Sequence, residues 1–218
     1  MPALLTGQEG WLGASFEHEV TPKYGYAVET EYRGAFGAYA RGEFLFTGVL
    51  DRQLATDLHV QAGGRISPSR AGSGHEGRLF VDLYYDLPLG ESAFTLEGRL
   101  RYQRTRNFSE GLLTRVAVRP RLGLNWAVHD KVALIVEAEA RYRFDERNEW
   151  VRTRRTAGVT YSVTDRFEVE FFYRRQLDYE PDEPRALTEV FGLYTTYVLP
   201  DRRERDWDYR RPFGRRVF

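Results

Sequence analysis

The sequence predicts an all-β protein: an antiparallel up-and-down transmembrane β-barrel with ten clear strands between residues 24 and 199. Three observations predict it. Apolar and polar residues alternate along segment after segment, and side chains in a strand point to opposite faces with a period of two. Gly, Pro, Asp and Ser cluster between the segments, where turns are needed. The connections alternate between short and longer, as in barrels with short turns at one rim and long loops at the other.

The strands follow in order. Tyr26, Val28, Thr30 and Tyr32 oppose Glu29, Glu31 and Arg33. Segment 39–50 comes next, with less distinct faces. Leu58, Val60 and Ala62 oppose His59, Gln61 and Arg65, and Leu79, Val81, Leu83 and Tyr85 oppose Arg78, Asp82 and Asp86. Phe94, Leu96, Leu100 and Tyr102 oppose Glu97, Arg99, Arg101 and Gln103. Val116, Val118, Pro120, Leu122, Leu124, Trp126 and Val128 oppose Arg115, Arg119, Arg121 and Asn125. Pro120 lacks a ladder donor, so a bulge is expected there.

Val132 to Phe144 is the clearest case. Val132, Leu134, Val136, Ala138, Ala140, Tyr142 and Phe144 share a face opposite Glu137, Glu139, Arg141 and Arg143. Ala157, Val159, Tyr161 and Val163 oppose Arg152, Arg154, Thr156 and Thr160. Phe167, Val169, Phe171 and Tyr173 oppose Glu168, Glu170, Arg174 and Gln176, with Phe172 as an exception. Segment 187–199 closes the series. Short turns are expected near Asp51-Arg52, Pro88-Leu89-Gly90, His129-Asp130 and Thr164-Asp165, and longer loops near 67–75, 106–111, 145–149 and 179–186.

Two pieces lie outside this count. Trp11 to Val20 reads as a further strand before a turn at Thr21-Pro22-Lys23. The Arg-rich tail from Asp201 to Phe218 reads as a periplasmic tail, a lumen plug or a closing strand. The barrel has twelve strands if both join the wall, which would keep the even number usual in single-chain bacterial barrels. The expected division is a disordered or vector-derived N-terminus over 1–10, the barrel over 11–199 and the tail over 200–218.

Composition narrows the class. Hydrophobic residues are 42% and charged residues 29%, with a mean hydropathy of −0.55. No stretch approaches the ~18 consecutive apolar residues of a membrane helix, but barrel strands average to such values. The 32 basic and 32 acidic residues balance, so nothing points to nucleic acid. Only Lys23 and Lys131 are lysines; Arg fills the remaining basic positions, and its planar fork pairs with carboxylates in confined sites. The absence of Cys excludes disulfides and thiolate chemistry. The N-terminus is not a signal peptide, so a removed signal and an added Met1 are expected.

Two features set the apolar face outside. Tyr102, Trp126, Tyr142, Phe144, Tyr161 and Tyr173 collect toward strand ends and form a lipid-facing aromatic girdle. The polar face carries both charge signs, which suits a narrow lumen where buried charges must pair. The candidate lumen network is Glu29, Glu31, Arg33, Arg65, Glu97, Arg99, Arg101, Arg119, Arg121, Glu137, Glu139, Arg141, Arg143, Arg154, Glu168, Glu170 and Arg174.

The strands that open at Trp11, turn at Pro22-Lys23 and continue as Val28-Glu29-Thr30-Glu31-Tyr32-Arg33 resemble the DUF2490 group of predicted outer-membrane barrels. The likeness runs on through Gly64-Arg65, Glu97-Gly98-Arg99-Leu100-Arg101-Tyr102 and Glu137-Ala138-Glu139-Ala140-Arg141-Tyr142, over about 11–199. The resemblance implies location and fold; it implies no activity.

No chemistry-bearing motif stands out. His18, His59, His75 and His129 lie in separate segments without metal-ligand spacing. His59 is expected to face the lumen. Ser15 and His18 fall on opposite strand faces, which argues against a serine hydrolase. Asp145, Glu146 and Glu149, with Asp178, Glu180, Asp182, Glu183 and His75, form an acidic outer rim, read as solvated loops or a weak cation site.

The expected function is a structural barrel or a narrow ion or small-solute pore in the bacterial outer membrane. Membrane lipid and lipopolysaccharide are its partners, and no cofactor, metal or catalytic residue is expected. The alternatives are an outer-leaflet barrel enzyme hydrolysing lipid or peptide, and a soluble ligand-binding barrel.

Overall fold

The computed structural model describes residues 5–35, 42–68, 75–90, 92–108, 114–145, 148–179 and 185–199. Among them eleven strands form one closed barrel. In chain order they are β1 (Leu5–Thr21), β2 (Tyr24–Ala35), β3 (Gly42–Ala55), β4 (Leu58–Ser67), β5 (Glu76–Pro88) and β6 (Phe94–Asn107). They continue with β7 (Thr114–His129), β8 (Val132–Arg143), β9 (Glu149–Thr164), β10 (Phe167–Asp178) and β11 (Ala186–Leu199).

The count of ten is corrected to eleven. The wall begins at Leu5, inside the stretch expected to be disordered, and β1 pairs along its length with both β2 and β11. An odd number of strands that reverse at every turn leaves the first and last running the same way. Closure is therefore a parallel ladder, from Leu5 opposite Ala186 to His18 opposite Leu199. All other pairs are antiparallel. The twelve-strand alternative drew on the tail, which lies outside the described residues.

Short turns join β1–β2, β3–β4, β5–β6, β7–β8 and β9–β10 at one rim; the other five connections lie at the opposite, loop rim. The turn expected at Asp51-Arg52 lies instead at Thr56-Asp57. The polar run was misleading because Asp51 points into the lumen, where a polar residue belongs, while Arg52 lies over the ring of Tyr24 outside. No bulge forms at Pro120 either. The β7–β8 register is the same at Val118–Tyr142 and at Arg121–Glu139, and only the ladder between them is interrupted.

Strands in a barrel are tilted and staggered. The cross-strand row Gly25, Asp51, Gln61, Asp82, Arg101 accordingly climbs from the turn rim to mid-wall.

The outer face is apolar: Leu12, Val28, Leu50, Leu79, Leu100, Leu122 and Val136 are all exposed, Leu122 by 57%. Inside, one apolar cluster of Trp11, Phe172, Val190 and Tyr194 sits against the β1–β11 seam. Phe172 stacks on Tyr194 (centroids 5.2 Å apart) and meets Trp11 edge-on at 6.4 Å. Glycine makes this possible: a Cβ at Gly192 would overlap the Phe172 ring, and one at Gly13 would overlap the Tyr194 ring.

Gly192→Val should therefore cost about 1–3 kcal/mol through overpacking. It should lower the urea midpoint of unfolding, and Phe172→Ala in the same chain should recover part of the loss. An unchanged midpoint for Gly192→Val alone would show that the seam is loose.

Candidate functional site

The period of two turns one residue of every pair into the lumen, and a polar one there loses water and must find a partner. Of the expected network, Glu29, Glu31, Arg65, Arg99, Arg101, Arg119, Arg121, Glu137, Glu139, Arg154, Glu170 and Arg174 are buried inside. Arg33, Glu97, Arg141, Arg143 and Glu168 lie on the same inner face and are partly buried.

The centre of this network is Glu139 on β8. Its carboxylate accepts from Arg99 on β6, from Nε and Nη2 of Arg119 on β7 (3.2 and 2.5 Å), and from Nη1 of Arg154 on β9 (3.4 Å). Arg119 reaches Gln103 at 3.2 Å, and Arg154 reaches Gln176 at 2.8 Å. One carboxylate thus ties four neighbouring strands together.

Asp82 and Arg101 form a second unit, a bidentate pair at 2.6 and 2.7 Å with both side chains wholly buried. The Arg101 guanidinium also lies 4.0 Å over the Phe80 ring. Arg121 pairs with Glu137 at 3.1 Å, and Arg65 with Glu29 at 3.5 Å.

A third unit joins the ions to the apolar seam. Glu31 pairs with Arg33 and accepts the Tyr194 hydroxyl at 2.6 Å. Arg33 lies 3.9 Å over the Trp11 ring, and Arg174 lies 5.1 Å from it. The Trp11 indole donates to Glu9 at 2.8 Å.

Several members escaped sequence reasoning. Asp82 was placed on the right face without its role. Asp51 was read as a turn, although it approaches His59 at 3.5 Å. The lumen position of His59 agrees with expectation. Trp11 was read only as a strand opener; its alternation with exposed Leu12 is the signal that it points inward. Phe172, the one exception in its strand, is the apolar residue the inner seam requires.

The charges are sorted along the barrel axis. The first two inward positions next to each turn carry Glu17, Glu19, Asp51, Asp86, Glu97, Glu168 and Glu170 with His59, and among the described residues no Lys or Arg. Guanidinium groups occupy mid-wall and the loop half. At the loop rim the acids are already engaged: Asp145 by Arg143, Asp178 by Arg152 and Glu76 by Arg78. Ser15 bonds Thr196 inside at 2.9 Å, whereas His18 packs on Tyr26 outside, so the two do not meet. Among the described residues no three His, Asp or Glu side chains could hold a metal ion.

Outside, Tyr102, Trp126, Phe144 and Tyr161 are exposed, and Tyr142 and Tyr173 are half-buried by aromatic neighbours. The outer rings pair at two levels. Phe16–Tyr197 and Phe94–Trp126 lie toward the turn rim; Tyr32–Phe44, Tyr142–Trp150 and Tyr173–Phe191 lie toward the loop rim.

Together these features define a closed antiparallel-dominated β-barrel, apolar outside and ion-paired within. The chain belongs to the DUF2490 family, described as a protein of unknown function, whose sequence profile matches residues 8–186. No curated protein and no solved structure matches the chain significantly.

Glu139→Ala should leave three buried guanidiniums short of their shared acceptor and destabilise the barrel by about 3–5 kcal/mol. Glu97→Gln, at a partly buried mouth position, should cost far less. Denaturant unfolding followed by tryptophan fluorescence compares the two; equal losses would refute the central role of Glu139.

Proposed function

We propose that the chain is an integral β-barrel of a Gram-negative outer membrane with a narrow or occluded lumen. It acts as a structural protein or a small-ion pore, not as a wide porin. The observation that carries this reading is the inversion of the usual burial pattern: Leu50 and Leu79 are about 70% exposed (69% and 70%), while Arg101 and Asp82 have no exposed surface. Soluble monomers rarely expose contiguous apolar area beyond a few hundred Å². A lipid-facing wall needs it all round, with aromatic rings at both interfaces, and the two outer levels of rings fit that need.

The turn rim then faces the periplasm and the loop rim the exterior. Lipid is the partner of the wall, and lipopolysaccharide that of the loop rim. Arginine and carboxylate side chains that are nearly inaccessible to water leave no wide aqueous path, which supports the occluded lumen.

Three measurements test the proposal. The folded protein should need detergent to stay dispersed and should migrate faster unheated than boiled. Leu100→Arg, at the middle of the outer face of β6, should cost about 2–4 kcal/mol against lipid and almost nothing against water. Planar bilayers should show no nanosiemens steps. Dispersion without detergent, together with a neutral Leu100→Arg, would overturn the membrane reading; nanosiemens conductance would overturn the occluded lumen.

A further inference from the structure

We propose that the loop-side mouth of the lumen is a binding site for a phosphate group, held by Arg115, Arg141 and Thr105. The site lies inside the wall, so it goes beyond the membrane reading and does not depend on it.

Arg141 on β8 and Arg152 on β9 are cross-strand partners on the inner face. Like charges in that position repel, and an anion held between them relieves the repulsion. Arg152 has its own acid, because it pairs with Asp178. The Nε of Arg141 is buried and meets no acceptor. Of the four charged groups that act on Arg141 most strongly, three are the guanidiniums of Arg152, Arg143 and Arg115. The fourth is Glu76, whose carboxylate is held by Arg78 at 2.7 Å. Asp145 is held by Arg143, and Glu149 stands opposite Arg143 rather than Arg141.

A second, independent observation on the neighbouring strands points to the same ligand. Thr105 on β6 stands between its cross-strand partners, Arg78 on β5 and Arg115 on β7. Thr105 is 3% exposed, and its hydroxyl accepts from Arg78 Nε at 3.1 Å. That leaves the O–H to donate. Among the described residues the O–H has no acceptor and Arg115 forms no ion pair. Arg115 is exposed, so a ligand can reach the mouth from the loop side.

A buried N–H, a buried hydroxyl and an open guanidinium are all donors. Set among like charges, they ask for an anion with more than one charge and several acceptor oxygens. A phosphate dianion supplies both and takes guanidinium forks bidentately. A carboxylate, with one charge and two oxygens, would leave one guanidinium unmatched. Free phosphate and the terminal phosphate of an organic ester carry the same group.

The test uses the full folded chain at low ionic strength and calorimetric titration with inorganic phosphate and with glycerol 3-phosphate. Tighter binding of the ester assigns the site to an organic phosphate; equal or weaker binding assigns it to the free ion. Arg115→Gln with Arg141→Gln should weaken binding at least tenfold at an unchanged unfolding midpoint. Arg104→Gln with Arg155→Gln removes the same charge from exposed outer positions and should leave binding unchanged. Where the inner variant fails to fold, phosphate should still protect Arg115 and Arg141 of the parent from phenylglyoxal while Arg104 and Arg155 stay reactive. Undiminished binding by the inner variant, a comparable loss in the outer one, or a parent that neither binds nor is protected overturns the proposal.

Discussion

The lumen depends on one imbalance of charge. Arg99, Arg119 and Arg154 converge on the single carboxylate of Glu139. The register forces this convergence, because it sets Arg against Arg on neighbouring strands: Arg99 opposite Arg121, Arg101 opposite Arg119, Arg141 opposite Arg152. Acids nearby offset these rows: Glu139 holds Arg99 and Arg119, Glu137 holds Arg121, Asp82 holds Arg101 and Asp178 holds Arg152. Arg serves in such pairs better than Lys because its donors are fixed in a fork and its charge persists when buried. The guanidinium is thus the cation that suits this interior.

The second constraint is closure. A sheet edge leaves its backbone groups unpaired, and only a closed barrel removes every edge. Eleven strands close through a parallel seam, and the larger of two inner apolar clusters packs against it. Trp11, Phe172 and Tyr194 fit there because Gly13 and Gly192 leave room on the facing strands. The same rings provide surfaces for Arg33 and Arg174. Apolar seam and ionic lumen are therefore one continuous structure: cation–π contacts at the seam lead into the salt bridges around Glu139.

The asymmetry between the two rims follows from the same economy of pairing. Toward the loops, acids and guanidiniums stand beside each other, two residues apart in the chain (Glu76–Arg78, Arg143–Asp145) or on adjacent strands (Arg152–Asp178), and neutralise locally. Toward the turns, the described inner positions hold acids, one histidine and neutral residues such as Gln61, Asn125 and Ser162.

The sequence by itself determined the fold class and the two faces of nearly every strand. A side chain's face depends only on a period of two, which is local. It also determined most members of the lumen network and the outward aromatic positions. Tertiary structure decided the rest. Strand number required knowing that Leu5–Thr21 finds partners on both sides, and its sequence, with Gly10 and Gly13 and few inward charges, does not announce that. Asp51 looked like a turn because polarity alone cannot distinguish solvent from a polar lumen. Which carboxylate holds which guanidinium is set by strand stagger. Stagger is a property of the whole closed wall: no single strand contains it, so Glu139 became the hub only when β6 to β9 were brought side by side.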